Sequence, residues 1–527
     1  MNNSNETTMF SFNFSNLSCH RYLPSNKFAA KIAIVLTIIY FCFAVAHAKS
    51  EATQSTNNFT KQKPIVTKDK VNKLNQFISQ NMKKLDVPGV AVGVLESGKP
   101  VVLKGFGVAD EQGTPVEATT PFKLGSVSKS FAAAAVMQLS DEGRLDVDKP
   151  VVNYLPWFRT QNKSNSDKIL IKHLLSHESG FSTLAGNRNQ HSEENSPTVY
   201  QSTLKELSDI KLSTMPGTRY QYSNVNYQIL ASLLESIEMS SYETIIETRI
   251  FRKLGMSNSF AHKTDKNAGK PASGFQFRFG HPTRFEDQLG RVTIAQGGLY
   301  SSAEDMIHYL SNFLSSDSQL FSQLSLQRTI LPQDANAKRG YGFGWYVSKN
   351  DDYRLLFHFG ESAGYEAVAA FSPELDIAFV VLVNANSSFG QNNVSALLRG
   401  VGNIILDKPT PKIEASTMEK TILWLIFLIP VVIIFFALNF LRRFRNKKIL
   451  PLTRPFSVIE ILKRLLIPSV FLLSISVIFL VLLPRTYGSP LSAVALFQPD
   501  IYIGIIVCSS VAILWWFVRS TLLFRSN

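Results

Sequence analysis

Residues 125–139, GSVSKSFAAAAVMQL, set a glycine and a short polar run directly against nine residues made mostly of good helix formers. The polar residues stand where a helix would begin, the run 131–139 is the helix itself, and Gly143 stops it. Upstream, 89–95 and 101–108 are β-rich runs joined through Glu96, Ser97, Gly98 and Lys99, a hairpin signal. Before them, Val71, Leu74, Phe77, Ile78 and Leu85 recur at helical spacing. Downstream, helical patterns at 169–175, 227–237 and 303–314 alternate with polar loops, and 353–359, 365–371 and 377–383 read as closing strands. Strands at both ends with helices between them predict an α+β domain whose first and last strands meet in one antiparallel sheet. No internal repeat is evident.

The 527 residues exceed one ordinary core. With 45% hydrophobic and 18% charged residues, pervasive disorder is excluded and part of the chain is expected in lipid. Cys19, Cys42 and Cys508 lie outside 49–420, so neither a disulfide framework nor a cysteine-based zinc site holds that stretch. A net charge of +14 would suggest nucleic acid, but its distribution does not: 49–420 carries +3, 1–48 carries +2 and 421–527 carries +9. The basicity belongs to a tail with three apolar runs, 421–441, 465–483 and 501–518, each near the length a spanning helix needs. The loop between the first two holds Arg442, Arg443, Arg445, Lys447, Lys448, Arg454, Lys463 and Arg464, whereas 484–500 holds only Arg485. The positive-inside rule then places the first loop and the C-terminus in the cytoplasm and everything before 421 outside. At the other end, Lys27 and Lys31 precede an apolar run, 32–46, that closes on Ala46-His47-Ala48, so an export signal, cleaved or retained as an anchor, is expected.

Ser126 and Lys129 sit at i and i+3 at the start of the predicted helix, on one face, where early backbone N–H groups have no helical partner. A desolvated amine beside a hydroxyl suits acyl transfer. The pair alone is weak, because Ser208 and Lys211 repeat the spacing and a capping serine with a solvated lysine explains either. Tyr222, Ser223 and Asn224 present a phenol and an amide in a polar turn, although Asn224 could simply cap the next helix. His358, Phe359 and Gly360 close an apolar strand, and the glycine allows close approach to the backbone.

In combination these residues resemble the serine β-lactamases and penicillin-binding proteins, in the branch of class C β-lactamases, D-Ala-D-Ala carboxypeptidases, D-aminopeptidases and related esterases. Ser126-Val127-Ser128-Lys129 matches S-x-x-K, Tyr222-Ser223-Asn224 matches Y-x-N, and His358-Phe359-Gly360 matches the H-x-G that replaces K-T-G in many relatives. Supporting stretches are Pro88-Gly89, 174–180 (LLSHESG), Gly297-Gly298 and 341–345 (YGFGW). The resemblance covers roughly 71–407 and implies a β-lactamase/transpeptidase-like domain followed by three transmembrane helices. The expected organisation is a signal peptide or anchor at 1–48, a linker at 49–70, the hydrolase domain at 71–407, a linker at 408–420 and a membrane region at 421–527. By the resemblance Ser126 is the acylated nucleophile, Lys129 its proton acceptor and Tyr222 partner base and proton shuttle, with the choice of base between Lys129 and Tyr222 left open. Asn224 orients the substrate amide, His358 stands where the family has a second lysine, and the backbone at Ser126, Gly360 and Glu361 forms the oxyanion site. It implies a peptide, ester or β-lactam substrate, a bilayer as the tail's partner, and no cofactor or metal; the sequence names no protein partner. Because histidine is not a permanent cation, ester or small-peptide hydrolysis is expected ahead of efficient β-lactamase activity.

Other assignments compete. Gly360-Glu361-Ser362-Ala363-Gly364 spells a G-x-S-x-G elbow, but every histidine precedes Ser362, against the Ser, acid, His order of that fold. His173 and His177, followed by Glu178, have zinc-helix spacing without the H-E-x-x-H order or a third ligand. A penicillin-binding sensor that acylates without efficient turnover is the alternative function.

Overall fold

The structure, a computed structural model, describes residues 66–261, 270–331, 338–386, 393–413, 417–452, 457–486 and 488–524. The expected export signal and most of the first linker lie outside the described residues. The chain enters through helix α1 (Lys68–Leu85), capped by Thr67, whose side chain accepts from the Lys70 N–H. Strands β1 (Gly89–Glu96) and β2 (Lys99–Gly107) follow, joined by Ser97 and Gly98 at φ 50° and 70°. Two consecutive left-handed residues are what a two-residue hairpin turn requires, which explains the Ser-Gly pair.

These strands begin a seven-stranded antiparallel sheet completed by β7 (Arg339–Tyr341), β8 (Tyr346–Lys349), β9 (Arg354–Ser362), β10 (Tyr365–Ser372) and β11 (Ile377–Val383), in the order β2-β1-β11-β10-β9-β8-β7. The expected meeting of first and last strands is observed, with Val90 opposite Val383 and Glu96 opposite Ile377. Two smaller pieces were not foreseen. Strand β3 (Phe122–Lys123) pairs with β6 (Tyr300–Ser301), and β4 (Gly274–Arg278) pairs with β5 (His281–Phe285) and with β12 (Ala385–Asn386).

The central strands are buried on both faces, so their composition is apolar throughout and the period of two shows only in which layer each side chain enters. Val90, Val92 and Val94, with Phe379, Val381 and Val383, pack under α1 and the helix Val394–Ile405. Ala91, Leu95, Val380 and Leu382 face a larger helical layer containing α2 (Ser128–Asp141), α3 (Val225–Glu238) and α4 (Ala303–Ser311). Small residues on that side let helices come close: a Cβ at Gly93 would stand 2.7 Å from Ile307 Cγ1. α2 is buried almost all round, with Phe131 stacked on Tyr309 at 4.0 Å between ring centroids.

Three helices are long and apolar enough to cross a bilayer, Leu423–Arg445, Val458–Thr486 and Pro499–Phe524. They overlap the runs expected at 421–441, 465–483 and 501–518 and extend beyond them, because helical hydrogen bonding continues into charged flanks such as Arg442, Arg443 and Arg445. Ile426, Ile475, Ile505 and Cys508 belong to the apolar core that the three share.

Leu382 is fully buried and Leu103 lies on edge strand β2 at 36% exposure. Leu382→Ala is expected to lower stability by about 2–5 kcal/mol and Leu103→Ala by no more than about 0.5 kcal/mol, read from denaturant midpoints at unchanged slope.

Candidate active site

Ser126 occupies a 3₁₀ turn, Gly125–Val127, that runs directly into α2. Three constraints hold this turn. The β3–β6 pairing continues as a bond from the Leu124 N–H to Leu299 O at 2.8 Å. Ser128 Oγ accepts from the Leu299 N–H at 3.2 Å. The third is a backbone-to-backbone seam with β9: a Cβ at Gly360 would stand 1.9 Å from Leu124 O, and one at Gly125, which has φ +53°, would stand 2.4 Å from Glu361 N. Only glycine on both sides lets the Ser126 turn lie against the strand that carries Gly360 and Glu361.

Lys129 lies one turn on and is fully buried; its Nζ is 2.9 Å from Ser126 Oγ and donates to Gln296 O at 2.6 Å. That carbonyl is fixed in part through the Gln296 side chain, whose Oε1 accepts from Gln228 Nε2 at 2.8 Å. The rings of Tyr222 and Tyr227 lie 4.9 and 5.7 Å from the amine. No carboxylate forms an ion pair with it among the described residues, and burial holds its pKa well below the ordinary 10.5, favouring the neutral amine. The capping-serine reading fails here: Ser126 is half-buried and Lys129 is inaccessible. The second pair, Ser208 and Lys211, is exposed on the surface.

Tyr222 completes the cluster, donating its phenol to Ser126 Oγ at 2.9 Å. Burial raises its pKa well above 10, so it stays protonated. The turn that carries it is clamped from both sides. Thr183 Oγ1 donates to Tyr222 O at 2.8 Å, and Ser223 Oγ donates to Ser182 O at 3.0 Å. His177 Nδ1 accepts from the Ser223 N–H at 3.2 Å and lies 2.9 Å from Asn226 Nδ2, while its ring packs 4.2 Å from that of Tyr222. His177 is therefore a structural clamp. It lies beyond the short helix Ile171–Leu175, at φ 60°, and so does not share a helix face with His173, whose Nδ1 accepts from the Leu170 N–H.

Asn224 stands at the N-cap of α3 but makes no side-chain cap. Its Nδ2 donates instead to Asn187 Oδ1 at 2.8 Å, and its own Oδ1 is buried with no hydrogen-bond partner among the described residues. His358 is buried on β9, opposite Ala369. Its Nδ1 lies 2.6 Å from Phe359 O, which can only accept, and burial pushes its pKa down to about 3, so Nε2 is left to accept from the Tyr341 hydroxyl at 3.0 Å. The structure thus brings His358 within 6.3 Å of the Tyr222 ring, centroid to centroid, as an uncharged group whose two nitrogens are engaged elsewhere. Ser362, the rival nucleophile, ends β9 opposite Tyr365 across a tight turn through Ala363 and Gly364. A strand-to-strand hairpin is not a strand-to-helix elbow.

Sequence reasoning missed Asn187, Gln296 and the bonding role of Tyr341. Gln296 had a signal in the adjacent Gly297-Gly298, and Tyr341 in the aromatic-glycine stretch it opens; nothing local marked Asn187.

A fold with this sheet, and a serine, lysine and tyrosine in mutual contact at the head of a buried helix, is that of a β-lactamase-type serine hydrolase, and comparison with known proteins agrees. The Beta-lactamase family model matches residues 74–400, and the chain belongs to that family. It is similar to Protein flp of Staphylococcus aureus (strain NCTC 8325 / PS 47), 25% identical over 334 residues, which cover 62% of this chain and 65% of flp. It is also similar to the putative penicillin-binding protein PbpX of Bacillus subtilis (strain 168), 29% identical over 326 residues that cover 60% of this chain and 76% of PbpX. Among solved structures, the octameric penicillin-binding protein homologue from Pyrococcus abyssi superposes with a TM-score of 0.55 at 27% identity, over 65% of this chain and 78% of that one. The chain thus spans about two-thirds of the length of the flp proteins it matches.

Gly360→Ala is expected to push the Ser126 turn off β9. Since a displacement of about 1 Å can cost about 10²-fold in rate, acylation of Ser126 by a serine-directed fluorophosphonate should slow by about that factor, measured by intact mass against time.

Proposed function

We propose that the chain is a membrane-anchored, extracytoplasmic hydrolase that forms an acyl-enzyme at Ser126 and acts on amide or ester substrates: D-amino-acid peptides, cell-wall peptides, β-lactams or simple esters. The observation that carries this reading is the meeting of Lys129 Nζ and Tyr222 Oη on one hydroxyl, each 2.9 Å from Ser126 Oγ. Opposite effects of burial on the two partners support taking the lysine as the base and the tyrosine as the acid. The lysine is driven to its neutral, basic form and the tyrosine is held in its protonated, acidic form.

In the proposed reaction, Ser126 Oγ bonds to the substrate carbonyl carbon as its proton passes to Lys129 Nζ. The backbone N–H groups of Ser126 and Glu361, brought together by the glycine seam, receive the carbonyl oxygen as it becomes negative. As the bond to the leaving group breaks, Tyr222 supplies that group with a proton and is reprotonated from Lys129. Water then attacks the acyl-serine and the proton movements run in reverse. The neutral His358 gives a substrate carboxylate no fixed cation, which favours esters and small amides over substrates recognised by a free acid. The tail supports the anchoring: it has three helices of spanning length, and the basic loop after the first favours a cytoplasmic side for that loop by the positive-inside rule.

The full chain in detergent is expected to be labelled by a serine-directed acylating probe and to hydrolyse activated esters. Ser126→Ala should abolish labelling and Ser208→Ala should not; labelling that persists in Ser126→Ala would overturn the assignment, and labelling without turnover would favour a penicillin-binding sensor. Because the working form of Lys129 is the deprotonated one, kcat/KM should be present above its folded pKa and fall about tenfold per pH unit as pH drops through it. Lys129→Met, close in length and without an amine, should lose activity at every pH while keeping the fold, read by denaturant midpoint.

A further inference from the structure

The hydrolase domain meets the membrane helices through the segment that joins the second long helix to the third. At one end, Gly488 O accepts from Asn187 Nδ2 at 2.9 Å. At the other the partner is the β4–β5 hairpin: Gln276 Nε2 donates to Leu496 O, and the Phe279 N–H donates to Asp500 Oδ2 at 3.2 Å. Gln276 and Asp500 are buried, so this second contact is packed as well as bonded. The tip of the hairpin, Phe279-Gly280, is thereby fixed at the head of the third helix, Pro499–Phe524. It reaches the first helix too, where the Phe279 ring lies 5.5 Å from that of Phe427, centroid to centroid.

The first helix begins its apolar stretch at Leu423, which puts Phe427 about 6 Å along it. In a spanning helix that is the level at which headgroups give way to acyl chains. Trp424, exposed and one turn nearer the end, fits the same boundary, where aromatic side chains collect. Phe279 itself is out of place by local rules. Arg278 pairs with His281, so Phe279 and Gly280 form a two-residue turn, at φ 51° and 87°. Left-handed positions suit Asn or Gly, and a phenylalanine there is strained. Packing does not account for it either, since the residue is 48% exposed. Arg278 and His281 are exposed on either side of the turn, where immersion of the ring would set them among headgroups.

We propose that Phe279 is a wedge by which the hydrolase domain enters the lipid of the leaflet it faces, with Arg278 and His281 at the headgroups. The domain is then seated on the bilayer at a fixed height rather than swinging on the chain before the first helix. The seat is tied to the site, because Gln276 pairs across the β4–β12 ladder with Asn386, whose Nδ2 donates to Glu361 Oε1 at 3.3 Å. This takes the three helices as spanning, as proposed above, and needs nothing of the chemistry at Ser126.

The test uses the full chain in phosphatidylcholine liposomes doped with a phosphatidylcholine that carries a diazirine near the head of one acyl chain. After irradiation and trypsin digestion, tandem mass spectrometry locates the lipid adducts; cleavage after Arg278 and Arg284 releases residues 279–284, FGHPTR, as one peptide. Adducts are expected on that peptide and at Phe435, exposed within the first helix. They are not expected at Met239, exposed at the end of α3 about 21 Å from the Asn224 end that neighbours the membrane contact. Phe279→Asn suits the turn and should keep the fold, while labelling of its 279–284 peptide should fall by about fivefold, the factor for withdrawing half a phenylalanine side chain from lipid. Label at Phe435 with none on 279–284 overturns the wedge and means that something other than lipid covers the tip. Labelling that Phe279→Asn leaves unchanged, or label at Met239 as strong as on 279–284, overturns it as well. No label at Phe435 overturns the spanning reading, and the wedge with it.

Discussion

An amine sealed from water with no carboxylate paired to it among the described residues is the constraint around which this site is arranged. Lys129 is too far inside the helical layer to keep a proton easily, and the group that accepts its N–H is a backbone carbonyl, Gln296 O. The neighbours follow the same rule: Tyr222, Tyr341, His177 and His358 are all driven by burial toward their uncharged forms. In the proposed reaction, the first charges to appear among these groups are the ones the chemistry makes, the lysine ammonium and the tetrahedral oxyanion. Fixed dipoles held in a dry setting act most strongly on such charges, because they need not reorganise as the charges form.

That arrangement depends on chain parts far apart in sequence, and the seam between residues 124–125 and 360–361 is where they are joined. Side chains could have adjusted to one another at such a contact; two backbones cannot, so the spacing between the Ser126 turn and β9 is set by the absence of two methyl groups. The clamp on Tyr222 works differently, through side-chain bonds from Thr183, Ser223 and His177. Backbone contact fixes one wall of the site and a polar network fixes the other.

Much of this was legible in the sequence, for identifiable reasons. β11 was read within its observed bounds because both of its faces are apolar, and the hairpin at Ser97-Gly98 because its turn needs particular residues. Ser126, Lys129 and Tyr222 were recoverable because their order along the chain matches a family pattern. Short elements were not: β4–β5 and β7–β8 have only a few residues of period and are formed by their neighbours in the sheet. Asn187 lay beyond reach for a different reason. Its importance comes from what lies on each side of it in space, Asn224 and Gly488, and neither is close to it in sequence. The reading of Asn224 as a helix cap shows the same limit, since a local rule offered a use that a distant partner took instead.

The pairing of β1 with β11 has a consequence for how the protein is made. Residue 90 leaves the ribosome nearly three hundred residues before its partner at 383, so the central ladder cannot close while most of the domain is being synthesised. Until then β1 keeps one long apolar edge without its final neighbour, which is the kind of surface that recruits unwanted strands. The first of the three long apolar helices described starts at Thr417, after β11, so the last strand of the sheet is made before that helix. A chain arrested before residue 377 would therefore be left with an open edge on β1.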